Sequence, residues 1–309
     1  MKVAVMGAGS IGGYFGGMLA RDGHDVTLIA RGEHLDTIRR DGLKMQTEAG
    51  DFVVPCSATD NPGDVGPVDL ALLTTKTYHN ADAVPAMSPM VGPATAVLCL
   101  QNGIDSFQPL LAAFPNAAVL PGAAYIEAGR LGPGAVRQAG PVVRIVTGPV
   151  RGADPSHDRH AEEIAAAFQS AGVPAEASGD IAVTLWTKFL FIATMAGTSS
   201  LAREYINDLL PRPEWRKIII GCMEEIERAG RASGVDLAAG IVPDTLSYIE
   251  SGGAAMRASM HADLVAGRPM ELEALNGAVV RAGEATGVPT PINDVIYAAL
   301  KPYAAGSNT

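Results

Sequence analysis

The sequence predicts an α/β protein in two parts: an N-terminal doubly wound domain with a mainly parallel sheet, then an all-α C-terminal domain. Three observations carry this reading. Short apolar runs alternate with turn signals through the first half, a glycine-rich turn joins the first run to a small-residue helix, and beyond about residue 180 only helical spacing remains. The 309 residues suit two domains at about 150 residues each. A boundary near Ser178–Asp180 gives domains 1–178 and 179–309.

The runs Lys2–Met6, Val26–Ala30, Asp69–Thr74 and Ala96–Leu100 are β-branched or Leu-rich and flanked by turn residues, as strands buried on both faces are. From Ala117 to Gly148, Ala124-Tyr125-Ile126, Ala135–Gln138 and Val142–Thr147 lie between glycine-rich turns. They read as antiparallel or edge strands closing the first domain. A helix over Glu162–Ala171 is stopped by Gly172-Val173-Pro174. Ile181–Leu201 follows, an apolar stretch whose one charge is Lys188. A lysine at the centre of a membrane span costs about 2.5–3.5 kcal/mol, so a buried helix of a globular domain is expected instead. Pro213 opens a helix with Trp215, Ile218, Ile219, Cys222, Met223 and Ile226 at helical spacing. Leu272, Leu275, Val279 and Ala282 repeat the pattern. Thr290-Pro291 begins a last helix expected to bury Val295, Ile296, Ala299 and Leu300.

Composition narrows the function. With 23 Lys+Arg against 33 Asp+Glu the net charge is −10, and a pI near 5.1 argues against nucleic acid as a partner. Hydrophobic residues at 48% and charged residues at 18% exclude wholesale disorder. The 3 cysteines, Cys56, Cys99 and Cys222, have no CxxC spacing, so neither a disulfide framework nor a metal site is expected. A reducing, cytoplasmic setting follows, with no membrane partner.

Gly7-Ala8-Gly9-Ser10-Ile11-Gly12 is GxGxxG, directly after an apolar strand and opening the helix Gly13–Ala20. Gly7 permits the tight turn, Gly9 lets a pyrophosphate approach the backbone, and Gly12 allows close helix–strand packing. Phosphates then sit on the helix N-terminus, as in Rossmann-type dinucleotide domains. The second strand ends in Ala30-Arg31, and Asp25 lies at its other end. A guanidinium there suits a 2′-phosphate, which favours NADP(H). Lys76 in Thr74-Thr75-Lys76 and Asn102 in Gln101-Asn102-Gly103 follow the next two strands. Lys76 fits a phosphate or carboxylate contact, or an exposed lysine; Asn102 fits a nicotinamide or substrate carbonyl contact, or an Asn-Gly turn.

Carbonyl reduction needs a hydride donor and a proton source for the developing alkoxide. Lys188 on its apolar helix suits the second role, because desolvation lowers a lysine's pKa; a lysine snorkelling to the surface is the alternative. Ser259 and Asp263 are spaced to share a helical face. Glu271 and Glu273 read as opening the next helix, where the dipole favours acids.

These residues resemble the ketopantoate reductases (2-dehydropantoate 2-reductases), within the 6-phosphogluconate-dehydrogenase-like group. The likeness covers nearly the whole chain: Gly7–Gly12, Arg31, Thr75-Lys76, Gln101-Asn102-Gly103, Gly132-Pro133-Gly134, Leu185-Trp186-Thr187-Lys188, Ala258-Ser259-Met260 with Asp263, and Glu271-Leu272 before Leu275-Asn276-Gly277. The resemblance implies NADPH-dependent reduction of a small-molecule 2-oxo acid to a 2-hydroxy acid, with ketopantoate to pantoate in pantothenate biosynthesis the leading reaction. It implies Lys188 as general acid and Glu271 beside it and the cofactor, both catalytic. Arg31, Lys76, Asn102 and Glu127 match cofactor-contacting positions, and Ser259 a substrate-carboxylate position; Lys188, Asn102 and Asp263 complete the expected substrate set.

One departure stands out. Pantoate-forming members of the family carry asparagines one and two helical turns after the catalytic lysine, where this chain has Ile192 and Ala196. An apolar side chain in place of an amide weakens recognition of a hydroxylated substrate. A related reductase or dehydrogenase acting on another keto acid, hydroxy acid or imine is therefore the alternative reading. A non-catalytic NADP-binding regulator is a third, disfavoured because Lys188 and Glu271 are both retained. Helix-rich C-terminal domains often supply dimer contacts, so a homodimer is compatible with the sequence.

Overall fold

The computed structural model describes residues 1–251 and 258–306. The strands are β1 (Lys2–Met6), β2 (Asp25–Ile29), β3 (Leu43–Thr47), β4 (Gly50–Val54), β5 (Ser57–Thr59), β6 (Leu70–Leu73), β7 (Ala96–Cys99), β8 (Ala118–Gly132), β9 (Ala135–Thr147) and β10 (Ala175–Ala177). The helices are α1 (Ser10–Arg21), α2 (Gly32–Asp41), α3 (Asn80–Ala86), α4 (Gln108–Ala113), α5 (Ser156–Ser170), α6 (Ile181–Ala202), α7 (Ile206–Leu209), α8 (Pro213–Ala232), α9 (Ile241–Ser251), α10 (Ser259–Val265), α11 (Asn276–Thr286) and α12 (Pro291–Leu300).

The chain divides into two compact units. Met1–Gln101 with Ser106–Ile181 make the first; Ala182 onward, joined by the loop Asn102–Asp105, makes the second. In the first unit β5-β2-β1-β6-β7-β8 are parallel neighbours. In order of appearance along that parallel set, this is the 3-2-1-4-5-6 arrangement of a doubly wound dinucleotide fold, whose order reverses between β1 and β6. β8 continues past β7 into an antiparallel hairpin with β9, and β9 pairs in parallel with β3 and β10. The expected closing strands are thus one long hairpin, and β9 is interior because β3–β4 extend the sheet beyond it. Phe15 and Leu19 of α1, Leu28, Leu72 and Phe168 of α5 fill the core.

α5 begins at Ser156, ahead of the expected Glu162. Asp154 accepts from the Ser156 N–H at 2.8 Å, so the polar stretch read as a loop includes the solvated first turns of an amphipathic helix. The segments α2, β3, β4 and β5 went unmarked in the sequence because each is short and half-exposed.

Among the described residues the second unit is entirely helical. α6 is long and apolar enough to cross a membrane, but 61% of its most apolar window is buried inside the protein. Trp186, Phe189, Leu190 and Ala193 pack there with Ile219, Met223 and Ile226 of α8 and Val279 of α11. The last helix differs from expectation. Ile296 and Leu300 are buried with Asn293, whereas Val295 is 61% exposed and Ala299 is also exposed. The buried set follows i, i+3, i+7, and a neighbour in sequence turns about 100° away from that face.

Asn293 enters the core because Glu225 of α8, itself 2% exposed, receives it. The Glu225 carboxylate accepts from the backbone N–H of Ile292 at 2.9 Å and of Asn293 at 3.0 Å, and from Asn293 Nδ2 at 2.8 Å. An acid on α8 therefore caps the N-terminus of α12, where the helix leaves donors unsatisfied. Replacing it with alanine strands those donors. Glu225→Ala is expected to destabilise the helical unit by about 3 kcal/mol, the scale of a lost charge-assisted bond with buried donors left over. Chemical denaturation followed by tryptophan fluorescence checks this, since Trp186 and Trp215 both lie in that unit; an unchanged midpoint contradicts it.

Candidate active site

In the first unit the glycine loop leaves β1 and enters α1 with Gly9 as its N-cap. A Cβ at Gly12 would stand 2.1 Å from the Gly7 carbonyl oxygen and 2.8 Å from Val5 Cγ1, so only glycine lets α1 lie this close to β1. A Cβ at Gly9 would meet no heavy atom within 4 Å. The loop backbone there is open to a large group, as a pyrophosphate requires.

Three bonds hold this loop. Thr74 Oγ1 donates to the Gly7 carbonyl at 2.7 Å, the Ala8 N–H donates to Ile29 O at 3.0 Å, and His34 Nε2 lies 2.7 Å from Ala8 O. Gly134 N–H donates to His34 Nδ1 at 2.8 Å. Arg31 is exposed as the N-cap of α2, immediately beyond the carboxyl end of β2. Asp25 is paired with Lys2 at the opposite end of that strand. Lys76 is half-buried after β6. Gln101, buried after β7, ties the two strand ends together: its Nε2 donates to Thr75 O at 2.8 Å and to Asn80 Oδ1 at 2.6 Å, and its Oε1 accepts from Asn80 Nδ2 at 3.1 Å. Glu127 is exposed on the hairpin part of β8, at a register shift opposite Ala139. The bonds that shape the glycine loop do not include it.

The second unit gathers Asn102, Lys188 and Glu271. Lys188, half-buried on α6, donates from Nζ to Asn102 Oδ1 at 3.0 Å. Burial of the amine pushes its pKa down to about 8, and the Glu271 carboxylate acts in the other direction. Glu271 is 6% exposed. It lies in the turn before α11, not in the helix as expected, because α11 starts only at Asn276. Gly103 brings the Asn102 loop against this turn: its φ is +117°, and a Cβ would fall 2.9 Å from Ala274 O. A lysine at this pKa holds a proton it can give near neutral pH.

Ser259 is exposed at the first position of α10. Asp263, expected at the substrate, is 9% exposed and accepts from Arg268 Nε at 2.8 Å, while Arg268 N–H donates to Asp263 O at 2.8 Å. These bonds close the C-terminal turn of α10. Glu273 is exposed, accepting from Tyr297 Oη at 2.9 Å and paired with Lys301. Nothing local in the sequence marks the bonds of His34, Thr74 and Gln101, whose partners lie far along the chain.

Residues 3–152 match the family described as ketopantoate reductase PanE/ApbA, and residues 180–304 match ketopantoate reductase PanE/ApbA C terminal. The chain belongs to the ketopantoate reductase family. It is thereby an oxidoreductase. A 2-dehydropantoate 2-reductase from Halobacterium salinarum is 32% identical, covering 94% of this chain and 95% of its own. A PanE/ApbA family ketopantoate reductase from Ralstonia eutropha JMP134 shares the fold with a TM-score of 0.89 at 33% identity, covering 98% of both chains. A D-mandelate dehydrogenase, solved with NADH and anilino(oxo)acetate, has a TM-score of 0.88 at 25% identity, again covering 98% of both.

The opposing influences on Lys188 can be separated. Glu271→Gln removes the carboxylate and leaves the burial, so the Lys188 amine is expected to titrate below its present value of about 8. Lysine-labelled NMR titration reads this directly; an unchanged or raised value would show that Glu271 does not act on the amine.

Proposed function

We propose that this chain is an NADPH-dependent reductase converting a 2-oxo acid to a 2-hydroxy acid, with ketopantoate to pantoate in pantothenate biosynthesis as the first reaction to test. The observation that carries this is the Lys188 amine, bonded to Asn102, beside Glu271, with a pKa near 8. The nicotinamide cofactor, when bound, supplies the hydride. Gly7, Ala8, Gly9, Ser10, Ile11 and Gly12 would receive its pyrophosphate, Arg31 its 2′-phosphate, and Lys76, Asn102 and Glu127 further polar groups. The Lys188 ammonium gives its proton to the substrate carbonyl oxygen and, while charged, stabilises the developing alkoxide. Asn102 holds the amine in place, and Glu271 keeps it protonated. Ser259 is proposed for the substrate carboxylate. A cytoplasmic setting agrees with three cysteines that are all free thiols.

A second reading keeps the reaction and changes the substrate. Along α6 from Lys188, Phe191 and Ile192 are half-buried and Ala196 is 3% exposed, and Phe191 meets Tyr248 edge-on at 5.4 Å. That neighbourhood favours a less polar 2-oxo acid over a hydroxylated one. The D-mandelate dehydrogenase similarity is in keeping with it.

Following NADPH absorbance with ketopantoate and a panel of less polar 2-oxo acids tests both. Saturable turnover of ketopantoate at low concentration supports the first reading, and turnover of an apolar 2-oxo acid alone supports the second. In either case kcat for reduction is expected to fall as pH rises through about 8, because the proton donor is lost. Lys188→Ala should lower it by about 10²–10⁴ with NADPH affinity kept. No turnover of any 2-oxo acid overturns both readings and leaves a hydroxy acid or an imine as the substrate class to test.

Arg31→Ala is expected to weaken NADPH by about tenfold or more, the scale of a lost charge-assisted bond, and to leave NADH nearly unchanged. Equal losses for both in a fluorescence titration would remove Arg31 from the 2′-phosphate.

A further inference from the structure

His34 is buried, at 7% exposure, on the first turn of α2, and its two ring nitrogens are both engaged by backbone. The Gly134 N–H can only donate, so Nδ1 accepts; the Ala8 carbonyl can only accept, so Nε2 carries the proton and donates. The geometry therefore holds a neutral imidazole in one tautomer between the glycine loop and the β8–β9 turn. Burial lowers its pKa, the bond to the Ala8 carbonyl works against that shift, and Arg130 of β8 adds to it.

The grip on Ala8 has a consequence for its neighbour. A trans peptide is planar with its C=O and N–H opposed. Holding the Ala8 carbonyl toward His34 thus aims the Gly9 N–H the opposite way. That N–H belongs to the N-cap residue of α1, where a Cβ would have open space. We propose that His34 is a positioning residue for the dinucleotide pyrophosphate: seated between Gly134 and Ala8, the neutral ring orients the Ala8–Gly9 peptide, and protonation of Nδ1 unseats the ring from the Gly134 N–H. The inference rests on the cofactor reading above.

Protonation has a definite effect here. A proton on Nδ1 would face the Gly134 N–H at 2.8 Å, two donors without an acceptor. The charged groups around the imidazole do not relieve this. Arg130 is a cation. β3 brings Lys44, whose backbone N–H bonds Gly134 O, and β5 (Ser57–Thr59) carries no charge. The glycine loop and the turn Leu131–Gly134 carry none either, and the acids of α2, Glu33, Asp36 and Asp41, are exposed to solvent. The bound arrangement accordingly belongs to pH above the imidazole's ordinary range and is lost as pH falls through and below it.

The test is NADP⁺ affinity, by calorimetry, for wild type, His34→Gln and His34→Ala between pH 8 and 5.5. A glutamine amide has both an acceptor and a donor and no titration in this range. At pH 8, wild type and His34→Gln are expected to agree within about threefold, and His34→Ala to bind about tenfold more weakly, the loss of one hydrogen bond's worth of ordering. Toward pH 5.5 the ratio of wild-type to His34→Gln dissociation constants should rise, up to the ceiling of about tenfold that an imidazole of ordinary pKa would give. Titration of the 2′-phosphate is common to both proteins and cancels in that ratio. A ratio independent of pH, or His34→Ala binding as tightly as wild type, overturns the role of His34 while leaving the cofactor site standing. Absence of NADP⁺ binding by wild type at pH 8 overturns both.

Discussion

A lysine ammonium on an apolar helix is tolerated only when neighbouring groups meet its charge, and that constraint organises the second unit. Lys188 interrupts the longest apolar helix of the chain, so burial works against its charged form. Asn102 answers with a carbonyl oxygen and Glu271 with a carboxylate. Both are delivered by turns rather than helices. The Asn102 loop separates in packing from the strand that precedes it and joins the helical unit, and Gly103 is the residue that lets it lie against the Glu271 turn. The outcome is an amine poised between being fully charged and fully neutral near physiological pH, as proton donation requires.

The first unit solves a related problem with backbone alone. A loop meant to receive phosphates must leave N–H groups uncommitted, and uncommitted backbone is loose unless its carbonyls are held. Thr74 and His34 hold the carbonyls of Gly7 and Ala8, and Gln101 braces the two strand ends that follow. The glycines supply the room, and the side chains supply the rigidity.

Much of this was legible in the sequence. The glycine motif, the parallel strands and the apolar α6 are local patterns whose physical causes act over a few residues: close backbone approach, double-faced burial and helical spacing. The place of Arg31, exposed just past the carboxyl end of β2, was readable because the apolar run before it marks that strand end. The misreadings also have local causes. A solvated helix face looks like a loop, as at α5, and apolar residues next to one another look equally buried, as at Val295 and Ile296. The bond from Arg268 to Asp263 is likewise invisible in the helical spacing of Ser259 and Asp263.

By itself, then, the sequence determined the two-part α/β and all-α architecture, the dinucleotide loop, and Lys188 as an amine out of place on an apolar helix. Only the tertiary structure decided what holds those groups. Asn102 and Lys188 are 86 residues apart, Gly134 and His34 are 100 apart, and Glu225 reaches Asn293 across 68. Each bond satisfies a buried polar group whose cost arises only once the chain has closed around it. No periodicity in the sequence records a partner that distance along the chain conceals.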